Sequence, residues 1–153
     1  AFGGWYRESA CTNMWSFASN IVTGDTTLYA KWRYPDVLVE TFENGNGTTL
    51  ADWTIVNGSQ TNKWYIGTAI SNGGSKSAYI SDNSSSNTYT IDNSSVVHLY
   101  RDITFPTSTS AVTLTFYWKG VGESNFDDLK VFVLPTSTTP LAGTSLAGSY
   151  TAL

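Results

Sequence analysis

From about residue 37 onward, the chain alternates short apolar runs with clusters of glycine, asparagine, aspartate and serine. The runs are too short for helices, and several carry the period of two that is typical of half-buried strands. They predict strands at residues 37–42, 53–56, 63–66, 77–81, 96–105, 111–119 and 129–134. Short strands in succession, with no helical stripe between them, predict an all-β fold in which antiparallel strands form a sandwich.

The clearest alternation lies in residues 111–119. Val112, Leu114, Phe116 and Trp118 occupy every second position, with Thr113, Thr115 and Tyr117 between them. Successive side chains of a strand point to opposite faces. The pattern therefore predicts one face in the core and another, which includes Tyr117, that meets solvent or ligand.

The first 32 residues differ in amino-acid composition from the rest. They contain the single cysteine, the single methionine and a dense series of aromatic residues. Residues 27–32 alternate as a half-buried strand would, and the proline of the sequence Arg-Tyr-Pro-Asp at 33–36 favours an extended linker. We therefore expect two parts: residues 1–35, a small module with its linker, and residues 36–153, the sandwich.

The motifs FGGWY at 2–6, ACT at 10–12, WSF at 15–17 and TTLYAKW at 26–32 resemble the C-terminal half of a Listeria–Bacteroides repeat of the internalin B type. The resemblance implies a small, partial β-grasp-like module without the N-terminal half of the repeat. Such repeats occur in tandem on bacterial surface proteins. An extracellular stalk or spacer is therefore the expectation for this part.

A second resemblance covers about 100 residues. It rests on TFENG at 41–45, Trp53, KWYIG at 63–67, AYISD at 78–82, LTFYWK at 114–119 and DDLKVFV at 127–133. This order is similar to the cleaved-adhesin and MAM-like (choice-of-anchor) jelly-roll family. The resemblance implies a jelly-roll β-sandwich with an adhesive or carbohydrate-directed role and often bound calcium. Where the closing strands of the family are lacking, an open sheet edge is expected at the C-terminal side.

Charge and composition limit the kinds of partner that the chain is expected to bind. Eight basic residues against twelve acidic ones give a net charge of −4, so the basic footprint of a nucleic-acid binder is missing. No apolar run approaches the ~18 residues of a membrane span, so membrane insertion is not expected. The chain begins without methionine or a leader, which indicates cleavage from a longer precursor with further domains. Cys11 alone allows neither an internal disulfide nor a cysteine zinc site.

Catalysis is not expected. The single histidine, His98, alternates with apolar neighbours and is expected as an outward-facing strand residue rather than as a base. Asp127 and Asp128 are adjacent, so in a strand they point to opposite faces and do not flank one glycosidic bond. Arg101 shares an otherwise apolar face and therefore needs a carboxylate partner or a position at the rim of the sheet.

Calcium is the metal that the sequence favours, because loops rich in aspartate, asparagine and serine supply the oxygen ligands it requires. The candidates follow or precede predicted strands: Glu43, Asp82, Asp127 and Asp128. The jelly-roll resemblance suggests that such residues converge on a structural calcium. The alternative is that all four are solvated turn carboxylates.

Sugar binding requires an aromatic face with polar groups around it, and Trp53, Trp64, Tyr65 and Tyr117 are the candidates. Trp64 and Trp118 are also expected to fill the core. The predicted function is a noncatalytic adhesion or carbohydrate-binding module, extracellular or on the surface of a bacterium. Its expected partner is a glycan or a host or matrix surface protein. The alternatives are a purely structural spacer and part of a carbohydrate-active enzyme. Exposed, clustered aromatic side chains favour binding, and buried ones favour the spacer.

Overall fold

The fold consists of short antiparallel strands. A computed structural model describes residues 2–32, 38–105 and 111–153, and these residues contain no helix. Its strands are β1 (Phe2–Tyr6), β2 (Tyr29–Trp32), β3 (Thr54–Val56), β4 (Lys63–Gly67), β5 (Ser77–Ser81) and β6 (His98–Tyr100). They form two-stranded sheets with the pairings β1–β2, β3–β6 and β4–β5. The all-β prediction is confirmed, whereas the sandwich and the jelly-roll connectivity stay predictions.

The chain divides into two compact units. Unit 1 comprises residues 1–38 and unit 2 comprises residues 39–153. The linker that the sequence predicts at 33–36 lies outside the described residues.

Unit 1 is built on the β1–β2 hairpin. Trp5 pairs with Ala30 and Tyr6 with Tyr29, and the ladder is irregular between Phe2 and Trp5. The small core consists of Tyr6 and Trp15, and the backbone N–H of Trp15 donates to the carbonyl of Trp5 over 2.7 Å. Two buried aromatic residues are a modest core, so local hydrogen bonds contribute much of the order in this unit.

Glu8 supplies the most concentrated set of those bonds. Its Oε1 accepts the Thr12 backbone N–H at 2.8 Å, the Thr12 hydroxyl at 2.6 Å and the Asn13 N–H at 2.8 Å. Hydrogen bonds to the charged form favour it, so the Thr12 hydroxyl and these amides lower the pKa of Glu8 to about 2. The carboxylate therefore closes the turn at residues 8–13.

The core of unit 2 is centred on β4. Ile66 is fully buried, and Leu50 and Tyr79 are also buried. The segment before Leu50 lies beside β4, because the Gly47 N–H donates to the Ile66 carbonyl (2.8 Å) and the Ile66 N–H donates to the Gly47 carbonyl (2.7 Å). A Cβ at Gly45 would overlap Ile66 Cγ2 and lie 3.0 Å from Leu50 Cδ1. Only a glycine lets the backbone approach the core this closely.

Asparagine side chains link the short strands of unit 2. Asn57 follows β3 and pairs with the backbone of Trp64 in β4: its Nδ2 donates to the carbonyl (3.0 Å), and its Oδ1 accepts the N–H (2.8 Å). Asn62 is buried and makes the same two-way contact with Thr90, at 2.9 and 2.8 Å. These amides replace ladder hydrogen bonds where the strands end.

A C-terminal segment packs against β6. Nε2 of His98 lies 3.1 Å from both the Leu141 and the Thr144 carbonyl oxygens. The Gly143 N–H donates to the Val96 carbonyl over 2.8 Å. Since two acceptors face one ring nitrogen, Nε2 carries the proton. His98 therefore fastens residues 141–144 to the sheet.

Three of the strands that the sequence predicts, at 53–56, 63–66 and 77–81, correspond to β3, β4 and β5. The strand at 96–105 is much shorter than predicted, since β6 covers only His98–Tyr100. The prediction of a strand at 37–42 is wrong for the residues that the structure describes there, 38–42. There Glu40 Oε1 takes the Phe42 N–H at 2.7 Å and Phe42 has φ of 65°, which is incompatible with an extended strand.

The predicted strands at 111–119 and 129–134 are also wrong. Neither segment joins a ladder, although the Leu153 N–H donates to the Val131 carbonyl over 2.9 Å. A strand is stabilised by the hydrogen bonds and side-chain contacts of a partner, which an alternating pattern does not supply.

Candidate functional site

Residues 116–118, the aromatic segment, present consecutive rings to solvent. Phe116 is 51% exposed, Tyr117 90% and Trp118 66%. The prediction that Trp118 fills the core is therefore wrong, and among the described residues the segment that carries it joins no ladder. Contiguous exposed apolar surface is uncommon on soluble domains and marks interaction sites.

Gly120 positions the Trp118 ring. A Cβ added to Gly120 would lie 2.7 Å from Cζ3 of Trp118, so the indole rests directly on the glycine backbone. The side chain is thus held against the chain on one side and exposed on the other. Such a ring offers a flat apolar surface at a low entropic cost.

The loop that follows is tied down by Asp127. Its Oδ2 accepts the Glu123 N–H and the Tyr89 hydroxyl, both at 2.7 Å. The hydrogen bond to Asp127 raises the pKa of Tyr89, since it stabilises the protonated phenol. Phe126 belongs to the same turn and is 80% exposed. Asp127 therefore orders a loop that presents a further aromatic ring.

The three other sugar-binding candidates are half-buried, and Trp53 is held by contacts of its own. The Trp53 indole N–H donates to Glu40 Oε2 over 2.8 Å, and its ring lies 6.2 Å from that of Phe42. Trp64 and Tyr65 are neighbours in β4, where alternate residues point to opposite faces. Within the described residues, no ring contact joins these three to Tyr117. Sequence reasoning missed Glu40, because no local pattern shows which carboxylate reaches a distant indole.

Of the calcium candidates, Glu43 anchors the loop between β4 and β5. Its Oε1 accepts the backbone N–H groups of Lys76 (2.9 Å) and Ser75 (2.8 Å), and its Oε2 accepts the Ser75 hydroxyl (2.9 Å). These bonds, that of Lys76 foremost, lower the pKa of Glu43. Lys76 in turn donates from Nζ to the Gly45 carbonyl over 2.8 Å.

The other calcium candidates have separate partners. Asp82 accepts the Asn83 amide at 2.7 Å and the Thr90 hydroxyl at 3.2 Å. Asp128 forms an ion pair with Lys130. Tyr89 and Thr90 are sequence neighbours, so one loop contacts both Asp127 and Asp82. Over residues 2–32, 38–105 and 111–153, no group of three or more acidic, histidine or cysteine side chains is placed to hold a metal. Calcium binding stays a prediction.

Arg101 has the carboxylate partner that its position requires. Its guanidinium lies 3.3 Å from Oδ2 of Asp52, and the arginine is the more buried of the two. The pair lies at the surface, where such bridges contribute little to stability.

Unit 1 is similar to a known family of repeat domains. Residues 1–31 match the family model of the Listeria–Bacteroides repeat domain. The match covers about a fifth of the chain and confirms the first resemblance. The jelly-roll resemblance of the remaining residues stays a prediction.

Two proteins of Evansella cellulosilytica are similar to part of the chain. One, provisionally named a Gly-rich membrane protein, is 38% identical over 52 residues, which are 34% of this chain and 6% of that protein. The other, provisionally named a membrane protein, is 35% identical over 52 residues, or 34% of this chain and 8% of that protein. The chain thus spans less than a tenth of either relative. No solved structure matches it. The described part of the chain has no helix of the length and hydropathy that crossing a bilayer requires.

Proposed function

We propose that the chain is a noncatalytic, extracellular adhesion or carbohydrate-binding module of a bacterial surface or secreted protein. The observation that carries the proposal is the aromatic segment, with Phe116, Tyr117 and Trp118 exposed in succession. The repeat match supports a surface setting, because repeats of this kind occur on bacterial surface proteins.

The chemistry of the segment favours a ligand with flat apolar faces. Aromatic rings stack on the C–H face of a sugar or on apolar protein side chains, and the Tyr117 hydroxyl adds a hydrogen-bonding group. The net charge of −4 disfavours anionic polymers. A neutral glycan or a host or matrix surface protein is therefore the proposed partner.

The mechanism is passive presentation. The Trp118 ring rests on Gly120, and Asp127 ties the following loop to Tyr89. Groups that are already ordered lose less conformational entropy on binding, which strengthens the complex without any additional contact.

The test is binding of the 153-residue chain to immobilised neutral polysaccharides and matrix proteins. The variant Tyr117→Ala/Trp118→Ala should lose binding. Val121→Ala should keep it, because that residue is 79% exposed and apolar but not aromatic. Equal binding by all three proteins would contradict the assignment to the aromatic segment. Release of reducing ends from a polysaccharide would contradict the noncatalytic role.

A spacer is the second candidate, and the match of residues 1–31 to a repeat domain favours it. In a spacer the aromatic segment is not required for any contact. A spacer should bind none of the immobilised polysaccharides or matrix proteins. Tyr117→Ala/Trp118→Ala should then leave the stability of the chain unchanged.

A further inference from the structure

Unit 1 contains a cleft that is separate from the aromatic segment. Its volume is about 350 Å³, near the lower end of the ~300–1,000 Å³ that small-molecule sites occupy. The walls combine apolar and hydrogen-bonding side chains, chiefly those of Trp15, Phe17, Asn20, Val22, Asp25 and Thr26. The size suits one small ring rather than a long chain.

Two aromatic rings form the apolar wall. Trp15 is only 7% exposed, whereas Phe17 is 72% exposed. Their centroids are 6.3 Å apart with the planes at 73°, an edge-to-face arrangement. Trp15 thus supports Phe17, and most of the phenyl ring is left accessible to a ligand.

The polar groups are partly fixed in place. Asn20 Oδ1 accepts the Ser16 N–H at 2.8 Å, which orients its amide, and the Thr26 hydroxyl donates to the Gly24 carbonyl over 2.9 Å. The Asp25 carboxylate adds an acceptor. The cleft therefore offers both donors and acceptors.

One buried donor lacks a partner. The indole N–H of Trp15 is buried, and among the described residues it has no acceptor. Buried polar groups in folded proteins are nearly always hydrogen-bonded, and leaving one unpaired is costly. This nitrogen has almost no accessible surface, so a ligand in the open cleft does not reach it, and the part that Trp15 plays in binding is to support Phe17.

The positive charge of Arg7 beside Trp15 favours neutral ligands over cationic ones. Cζ of Arg7 lies 5.1 Å from the centroid of the Trp15 ring. A cationic ligand at the same indole would be repelled by this guanidinium, which already makes the cation–π contact. A neutral ring with hydroxyl groups meets no such repulsion.

We propose that this cleft binds a single pyranose ring of a neutral glycan. The ring stacks on Phe17, and its hydroxyl groups hydrogen-bond to Asp25 and to the Asn20 amide. The site lies in unit 1 and does not rest on the function proposed for residues 116–118.

The test is a titration of the full chain with methyl glycosides of glucose, galactose, mannose and N-acetylglucosamine, followed through the Trp15 indole resonance in proton–nitrogen NMR spectra. We expect a saturable shift with at least one sugar, in the millimolar range typical of one small ring. Phe17→Ala should weaken binding at least tenfold. Ile21→Ala should not, because that residue is 83% exposed and does not line the cleft.

Three results would overturn the proposal: no saturable shift with any of the glycosides, a shift of unchanged affinity in Phe17→Ala, or saturation by tetramethylammonium alone. Tyr117→Ala/Trp118→Ala separates this site from the aromatic segment. That variant should leave the titration unchanged, whatever its effect on polysaccharide binding.

Discussion

Gly45→Ala should destabilise unit 2 although it adds only one methyl group. The new Cβ would overlap Ile66 Cγ2 and lie 3.0 Å from Ile66 Cβ and from Leu50 Cδ1. Ile66 and Leu50 are both buried, so neither side chain can swing into solvent. The backbone of the 45–50 segment must move away from β4 instead.

The expected cost follows from overpacking. Extra methyl groups in a packed core cost about 1–3 kcal/mol. Ile66→Ala alone should cost about 2–5 kcal/mol through the cavity that it creates. In the double variant the methyl group added at position 45 occupies part of that cavity. The destabilisation of the double variant should therefore be smaller than the sum of the two single effects.

Hydrogen exchange of backbone amides in the full chain measures this effect within unit 2. The Ile66 and Gly47 amides report directly, since they bond to each other's carbonyls. Gly45→Ala should accelerate their exchange roughly 5-fold to 150-fold, which corresponds to about 1–3 kcal/mol. Gly148→Ala is the matched control, because nothing lies within 4 Å of the added Cβ.

Two results would refute the reasoning. Unchanged exchange in Gly45→Ala would mean that the chain passes β4 at a greater distance. Strictly additive effects of the two substitutions would mean that Gly45 and Ile66 are not in contact.

Other predictions concern individual contacts. The pKa of Glu43 is lowered in the folded state. The stability that its hydrogen bonds provide is therefore present above the ordinary glutamate pKa and is lost as the pH falls through the folded-state pKa. In denaturation experiments at pH 2–6, Glu43→Gln should make the free energy of unfolding less dependent on pH. Asp127→Ala should return the raised pKa of Tyr89 toward its ordinary value in an NMR titration. His98→Phe should speed exchange of the Gly143 amide but not that of core amides. If calcium binds, its addition after EDTA should raise the thermal midpoint, by the equivalent of about 2.7 kcal/mol at a hundredfold excess over Kd; an unmoved midpoint would contradict the calcium prediction.

The sequence predicted best the strands whose signals are local. The β4 and β5 strands combine aromatic and β-branched residues with flanking glycine, asparagine and serine, and their bounds agree with the prediction within one residue. The prediction failed for the described residues 38–42, where the Glu40 side chain captures the Phe42 N–H. Such competition between side chain and backbone depends on a rotamer, which no periodicity indicates.

The second limit on prediction from the sequence is that it does not show which segments pair with each other. Residues 111–119 have the strongest alternation in the chain, yet they join no ladder. Pairing is non-local, and the pattern says only which side chains share a face. For the same reason the sequence placed Trp118 in the core, although it is exposed, and could not show that Glu40 holds Trp53.

Binding by the aromatic segment is the central claim, and the affinity of the chain for a neutral glycan or matrix protein identified from the panel tests it most directly. Loss of two central aromatic contacts typically costs at least about 2 kcal/mol, or roughly 30-fold in Kd. We therefore predict that Tyr117→Ala/Trp118→Ala binds at least that much more weakly than the parent, while Val121→Ala binds equally well. An unchanged affinity in the double variant would contradict the account.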